Sequence, residues 1–161
     1  MRAVIQKSGK ASVEIEGKIY SEIQEGLVIL LGITPSDTEK DVDYIVEKIC
    51  NLRLFEEGDK YFEKSVTDMG KEILLISQFT LYAETNKGRR PDFVNAAKRE
   101  FAEPMYEKVV AELKNKGLSV KTGVFGAMMK VSLRNDGPIT IILDSQARPA
   151  QGGERPNPEL N

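Results

Sequence analysis

Two apolar runs constrain this chain more than any other feature. Residues 26–33 read GLVILLGI and residues 72–77 read EILLIS. A strand with one wet face alternates polar and apolar positions, so an uninterrupted apolar run has to be covered on both faces. The longest such stretch, 27–31, is far too short to cross a bilayer. These runs are therefore predicted as central strands of a sheet, and the other segments must supply the layers that cover it.

The flanking patterns supply such segments. Residues 2–6 and 12–15 alternate as half-buried strands do, and Glu16-Gly17 marks a hairpin turn leading into a return strand at 18–23. Ser36 and Glu39 have capping-box spacing, and Val42, Ile45, Val46 and Ile49 follow on one helical face. Cys50 lies beside that stripe as a small buried hydrophobe. Residues 52–55 read as a short strand, and 56–71, charged and broken by glycine, as a surface excursion. Residues 84–91 read as a polar, basic loop. A second helix is expected to start near Pro104, since proline suits a first helical position. Met105, Val109 and Leu113 form its inner face with Val110 alongside, and Gly117 is its stop. Three strands follow at 118–123, 128–134 and 138–144, the last two joined by a turn through Asn135, Asp136, Gly137 and Pro138. From 145 onward prolines and glycines replace periodicity. The expectation is a single domain over 1–144 and a disordered tail over 145–161. The class is α/β, of α+β character, with mixed, barrel-like sheet layers and two main helices packed on one face.

Composition narrows the chemistry. A chain of 161 residues, 40% of them hydrophobic, can bury one real core. A net charge of −2 argues against wrapping duplex nucleic acid. No DNA partner is expected, whereas a small basic patch suffices to touch a few nucleotides. One cysteine and no histidine suit a reducing cytosol and exclude a Ser-His-Asp triad, a Cys-His pair and a His/Cys zinc site. Any hydrolysis must use a carboxylate-bound metal, another general base, backbone donors or a group on the substrate. The carboxylates show no metal-binding spacing, so no metal or cofactor is expected. The opening residues lack the apolar segment of a secretion signal, which predicts a cytoplasmic protein without a membrane partner.

Four stretches can carry chemistry. In SQFTLYA, 77–83, an apolar strand meets a polar loop. There Ser77, Gln78 and Thr80 crowd hydrogen-bonding groups together, and freed backbone N–H groups can form an oxyanion hole. The same pattern fits an edge strand with polar residues facing water. NDGPIT, 135–140, is ordinary turn chemistry, with a Gly-Pro peptide whose neighbouring carbonyls can face a ligand. GVFGAMM, 123–129, offers Phe125 with Met128 and Met129 as a slot for a flat base, or as core packing at a strand start. KGRRP, 87–91, can hold phosphates or be a solvated loop.

In combination and order, MRAVIQ, NLRLF (51–55), SQFTLYA, GRRPDF (88–93), GVFGAMM and NDGPIT resemble the D-aminoacyl-tRNA deacylase family over residues 1 to about 144. The resemblance implies that family's fold and a hydrolase that cleaves the ester of D-aminoacyl-tRNA. This is a proofreading step in translation quality control that also accepts glycyl-tRNA mischarged on tRNA(Ala). It implies a tRNA-binding homodimer that takes the 3′ CCA end, with sites at the subunit interface. Ser77, Gln78, Phe79 and Thr80 match the catalytic motif. Gly137 and Pro138 match a cis Gly-Pro pair that reaches into the partner's pocket and clashes with L side chains. Phe125, Met129 and Ala102 match positions that line the adenosine pocket. One departure is Lys7, where family members often carry an arginine that braces the Gly-Pro turn; lysine is a point charge without that planar fork. Two other readings share these residues: a module that binds the aminoacyl end without hydrolysis, and a relaxed deacylase with a trans Gly-Pro bond.

Overall fold

The computed structural model describes residues 1–86 and 88–147. A five-stranded sheet runs in the order β10-β1-β4-β7-β8, formed by Asn135–Asp144, Arg2–Ser8, Gly26–Gly32, Glu72–Ser77 and Val120–Thr122. The two apolar runs, β4 and β7, pair in parallel near its centre, while β1 pairs antiparallel with both β4 and β10. The bounds of β7 and of β3, Lys18–Ile23, are those read from the sequence.

The two faces of this sheet are covered differently. Leu27, Ile29, Leu31, Ile73 and Leu75 join a core with helices α1, Glu39–Asn51, and α3, Arg99–Asn115. Both main helices thus lie on one face, as the patterns predicted. Val28, Leu74 and Ile76 point the other way, into a second core under a small sheet of order β3-β2-β9. That sheet comprises β3, β2 (Ala11–Ile15) and β9 (Lys130–Ser132). Alternate residues of one apolar strand therefore serve two cores, which is why 27–31 and 73–76 carry no polar position. Gly26 permits the close approach of β4 to β7: a Cβ there would lie 1.8 Å from the Glu72 carbonyl oxygen.

Several expectations need correction. The capping box of α1 is Thr38 with Asp41, since both the N–H and the hydroxyl of Thr38 donate to the Asp41 carboxylate at 2.8 Å. Ser36 precedes it, in a turn closed by Asp37 N–H donating to the Thr34 carbonyl. The supposed excursion at 56–71 contains β6, Lys60–Ser65, hydrogen-bonded to β5, Arg53–Glu57, and then the single-turn helix α2, Val66–Met69. Helix α3 begins at Arg99, so Pro104 lies inside it. Met105 is only partly buried, and Ala102 and Tyr106 share the inner face with Val109 and Leu113. Strands β9 and β10 lie in different sheets, so Asn135-Asp136-Gly137-Pro138 is not a hairpin turn but the start of β10. The described chain continues past 144 into a 3-10 turn, Ser145–Ala147, with Ser145 buried. The rest of the expected tail, 148–161, lies outside the described residues.

Candidate active site

The site is built where β7 ends. Gln78 N–H donates to the Leu31 carbonyl at 2.8 Å, and the chain then winds into a 3-10 turn, Phe79–Tyr82. SQFTLYA is therefore neither a continued strand nor an edge strand. The turn rests on Gly32, where a Cβ would meet the Leu81 side chain at 3.0 Å and the Gln78 carbonyl at 3.1 Å. Arg2 clamps it from below: its guanidinium donates to the Leu81 carbonyl at 3.2 Å, lies 4.7 Å from the Tyr82 ring centroid and pairs with Asp144 at 2.9 Å. Tyr82 is buried, whereas Phe79 and Thr80 stand exposed. Leu81 and Ala83 N–H groups donate within the turn. Among the described residues the N–H groups of Phe79 and Thr80 have no hydrogen-bond partner, as befits the first donors of a helical turn. Gln78 Nε2 donates to Thr80 Oγ1.

A cavity of about 670 Å³ opens beside this turn. Ser77, Gln78, Phe79 and Thr80 form one wall, Ala102 of α3 another, and Phe125 and Met129 a third, with Leu31, Ile33 and Ile76 supplying apolar surface. Seven of the nine residues singled out in the sequence are thus brought together. Phe125 is fixed by Tyr106, whose ring lies 5.7 Å away and whose hydroxyl donates to the Leu75 carbonyl at 2.7 Å. Burial pushes the Tyr106 hydroxyl well above the usual tyrosine range, so it acts as a neutral donor. Met129 is seated against Gly123, where a Cβ would come within 2.4 Å of its sulfur. It and Phe125 also pack on the two cores, as the core-packing reading of GVFGAMM expected, while lining the cavity.

Gly137 and Pro138 do not line this cavity. They are exposed near the start of β10, on the edge of the large sheet, and their peptide bond is cis. Asn135 braces them: its Oδ1 accepts from Ile139 N–H at 3.2 Å, and its Nδ2 donates to Thr140 Oγ1 at 2.8 Å. Lys7 takes no part. It is buried, pairs with Glu56 and sits 5.4 Å from the Phe55 ring centroid. Arg89 and Arg90 are exposed and off the cavity wall, and Lys87 lies outside the described residues. The sequence missed Arg99, Ala97 and Gly126, which do line the cavity. Arg99 precedes Ala102 by one helical turn, a signal hidden by starting the helix at Pro104.

Among the described residues lining the cavity, Arg99 alone is charged, and none is a carboxylate. The wall therefore offers hydrogen-bond donors, apolar surface and one cation, and no evident general base.

The comparisons agree with one another. The family model described as D-Tyr-tRNA(Tyr) deacylase matches residues 4–144. A D-aminoacyl-tRNA deacylase of Thermus aquaticus is 52% identical over 149 residues, covering 92% of this chain and 98% of its own. Its counterpart in Bacillus mycoides is 53% identical over 146 residues, covering 91% and 100%. Among solved structures, a c-Myc DNA unwinding element binding protein superposes with a TM-score of 0.85 at 44% identity, covering 93% of this chain and all of its own. A probable eukaryotic D-amino acid tRNA deacylase shares the fold, with a TM-score of 0.76 at 14% identity, covering 88% and 97%. On the family match and the identity of these relatives, the chain belongs to the D-Tyr-tRNA(Tyr) deacylase family, hydrolases that act on ester bonds.

Proposed function

We propose that this chain removes D-amino acids from tRNA by hydrolysing the 3′-terminal ester in the cavity beside the 79–82 turn. The observation that carries the reading is the pair of unspent N–H donors at Phe79 and Thr80 on the wall of a cavity whose described lining holds no carboxylate and no evident general base. An aminoacyl ester is already activated, and a neighbouring 2′-hydroxyl can orient the attacking water. The step left to the protein is stabilising the oxyanion, for which preorganised backbone donors suffice; each typically contributes ~3 kcal/mol to lowering the barrier. Ser77 and Gln78 shape this wall, Thr80 positions the ester, and Phe125, Met129 and Ala102 receive the terminal adenosine. Thr80 as nucleophile is disfavoured, because no base adjoins it to take its proton.

Chirality is assigned to Gly137 and Pro138 of a second subunit, whose carbonyls hold the substrate amino group and leave no room for an L side chain. Glycine has no side chain to clash, so glycyl-tRNA on tRNA(Ala) is a further substrate. The protein works as a homodimer in the cytoplasm, where aminoacyl-tRNA is found.

The test uses D-Tyr-tRNA, L-Tyr-tRNA and Gly-tRNA, with chelator present, and follows ester loss against buffer. Rapid loss of the D-tyrosyl and glycyl esters with the L-ester intact is expected. Loss of both tyrosyl esters would show relaxed chirality in spite of the cis Gly137-Pro138 bond and remove that pair from the account of selection. Survival of the D-ester at the buffer rate would sink the enzyme reading and leave a module that binds without hydrolysis.

A further inference from the structure

Among the described residues Arg99 is the one charged side chain on the cavity wall, and its guanidinium is divided between two tasks. Nε and Nη2 donate to the two carboxylate oxygens of Glu103 at 2.9 and 3.2 Å, one helical turn away. Nη1 faces the opposite way: it is the atom nearest to where a Cβ on Gly126 would stand, at 3.5 Å, and Gly126 belongs to the cavity wall. Among the described residues Nη1 has no hydrogen-bond partner. The guanidinium carbon lies 5.9 Å from the centroid of the Phe125 ring. The Glu103 carboxylate thus fixes the plane of the fork and leaves one end of it, still charged, beside the aromatic wall.

We propose that Arg99 Nη1 binds the phosphate on the 5′ side of the terminal adenosine, making a phosphate subsite at the rim of the cavity. This rests on the reading of the cavity as the adenosine site. The chemistry is that of a planar guanidinium held by a carboxylate and offering its remaining N–H groups to a phosphate oxygen, the acceptor geometry arginine matches best. The phosphate of a nucleotide lies one ribose from its base. With the base against Phe125, Arg99 is the cation within reach, and no other described residue on the wall can neutralise that charge. Gly126 keeps the approach open, because a side chain there would lie in van der Waals contact with Nη1. The subsite gives the enzyme a reason to prefer a nucleotide end over a bare nucleoside ester, without reading any base.

The test compares two minimal substrates, the 2′(3′)-D-tyrosyl esters of adenosine and of adenosine 5′-phosphate, alongside D-Tyr-tRNA. The quantity read is the ratio of kcat/KM for the phosphorylated over the unphosphorylated ester, within each variant. In the wild type the ratio should be about tenfold, the low end for a hydrogen bond to a charged group, and should arise in KM. Arg99→Gln should bring the ratio close to one, Arg99→Lys should recover part of it, and Glu103→Gln should raise it by removing a competing carboxylate. A wild-type ratio near one, with D-Tyr-tRNA still hydrolysed, overturns the subsite and leaves the deacylase reading standing. Equal loss on both esters in Arg99→Gln, with the ratio kept, also overturns it, since Arg99 would then be stacking on the base. If the wild type hydrolyses none of the three substrates, the deacylase reading fails and takes the subsite with it.

Discussion

Tyr106 shows how one side chain ties the cavity wall to the core. Its hydroxyl satisfies the Leu75 carbonyl inside the sheet–helix layer, and its ring supports Phe125. Removing the hydroxyl in Tyr106→Phe takes away the shorter of two hydrogen bonds to that carbonyl and leaves the long one from the Gly123 N–H at 3.4 Å, a loss of about 1 kcal/mol in unfolding free energy, measurable by urea titration. The aspartates that cap and clamp the fold make a second residue-level case. Burial pushes the Asp41 carboxyl up, but hydrogen bonds from Ser145 and Thr38 outweigh it and hold the group below the ordinary value of 3.8. Asp144 is likewise lowered on balance, burial being outweighed by Arg2 and the Gln146 backbone N–H. A depressed carboxylate contributes stability above its unfolded pKa and loses it as pH falls through the folded value. The urea midpoint should therefore be flat with respect to these groups above about pH 5 and fall as pH drops through 3.8 and below, and Asp41→Asn should make that fall shallower. Cys50 is buried and its thiol is pushed up chiefly by burial. Iodoacetamide at pH 8 should leave the native thiol unmodified and label it in urea; labelling of the native protein at the unfolded rate would contradict this burial.

At the scale of elements, the seat of the 79–82 turn decides the site. Gly32 sits in β4 with ordinary backbone angles, so an alanine there is strained only by what its Cβ meets, namely Leu81, the Gln78 carbonyl and Tyr82 at 3.0–3.2 Å. Gly32→Ala should push the turn outward by a few tenths of an ångström and lower kcat by about tenfold. Stability should change by less than about 1 kcal/mol, because the entropy removed from the unfolded chain offsets the crowding. Equal activity in Gly32→Ala and wild type would show that the turn's position is not limiting. The same element shows where sequence reading stops. β4 and β7 were legible because burial of both faces writes itself into an unbroken apolar run, and β3 because a hairpin turn, Glu16-Gly17, announces it. The turn after Ser77 was not, since its shape comes from a hydrogen bond to Leu31 and from Arg2, partners remote in the chain. β6 was hidden because Tyr61 and Phe62 are both exposed, leaving no alternation to read. Ser36-x-x-Glu39 and Thr38-x-x-Asp41 carry the same signal, and only the Thr34–Asp37 turn ahead of them decides between the two. Ser77, Gln78, Thr80, Phe125 and Met129 were suggested by local chemistry, and Phe79 and Ala102 by resemblance alone; their convergence on one cavity was not visible in any local pattern.

For the whole molecule, the decisive separation is between Gly137-Pro138 and the cavity. The cavity wall of one chain does not include this pair, which stands exposed near the start of a ten-residue edge strand that also presents Ile142, 73% exposed. Long edge strands with apolar side chains outside are surfaces that other chains cover. If a twofold pair of subunits completes each site, the two lesions should complement one another. Ala102→Phe fills the cavity of its own subunit but leaves its Gly137 intact. Gly137→Ala has a free cavity, but its altered residue holds φ at +117° and would set a Cβ 2.9 Å from the Ile139 nitrogen. Each variant alone should be depressed in D-Tyr-tRNA hydrolysis. Unfolding both together and refolding them as an equal mixture makes about half of the dimers mixed, each with one site that joins an unaltered cavity to an unaltered Gly137. Activity should return to about one quarter of the wild-type value per subunit. A mixture no more active than its parts would place the pair beside its own subunit's cavity and remove the dimer from the account of chirality.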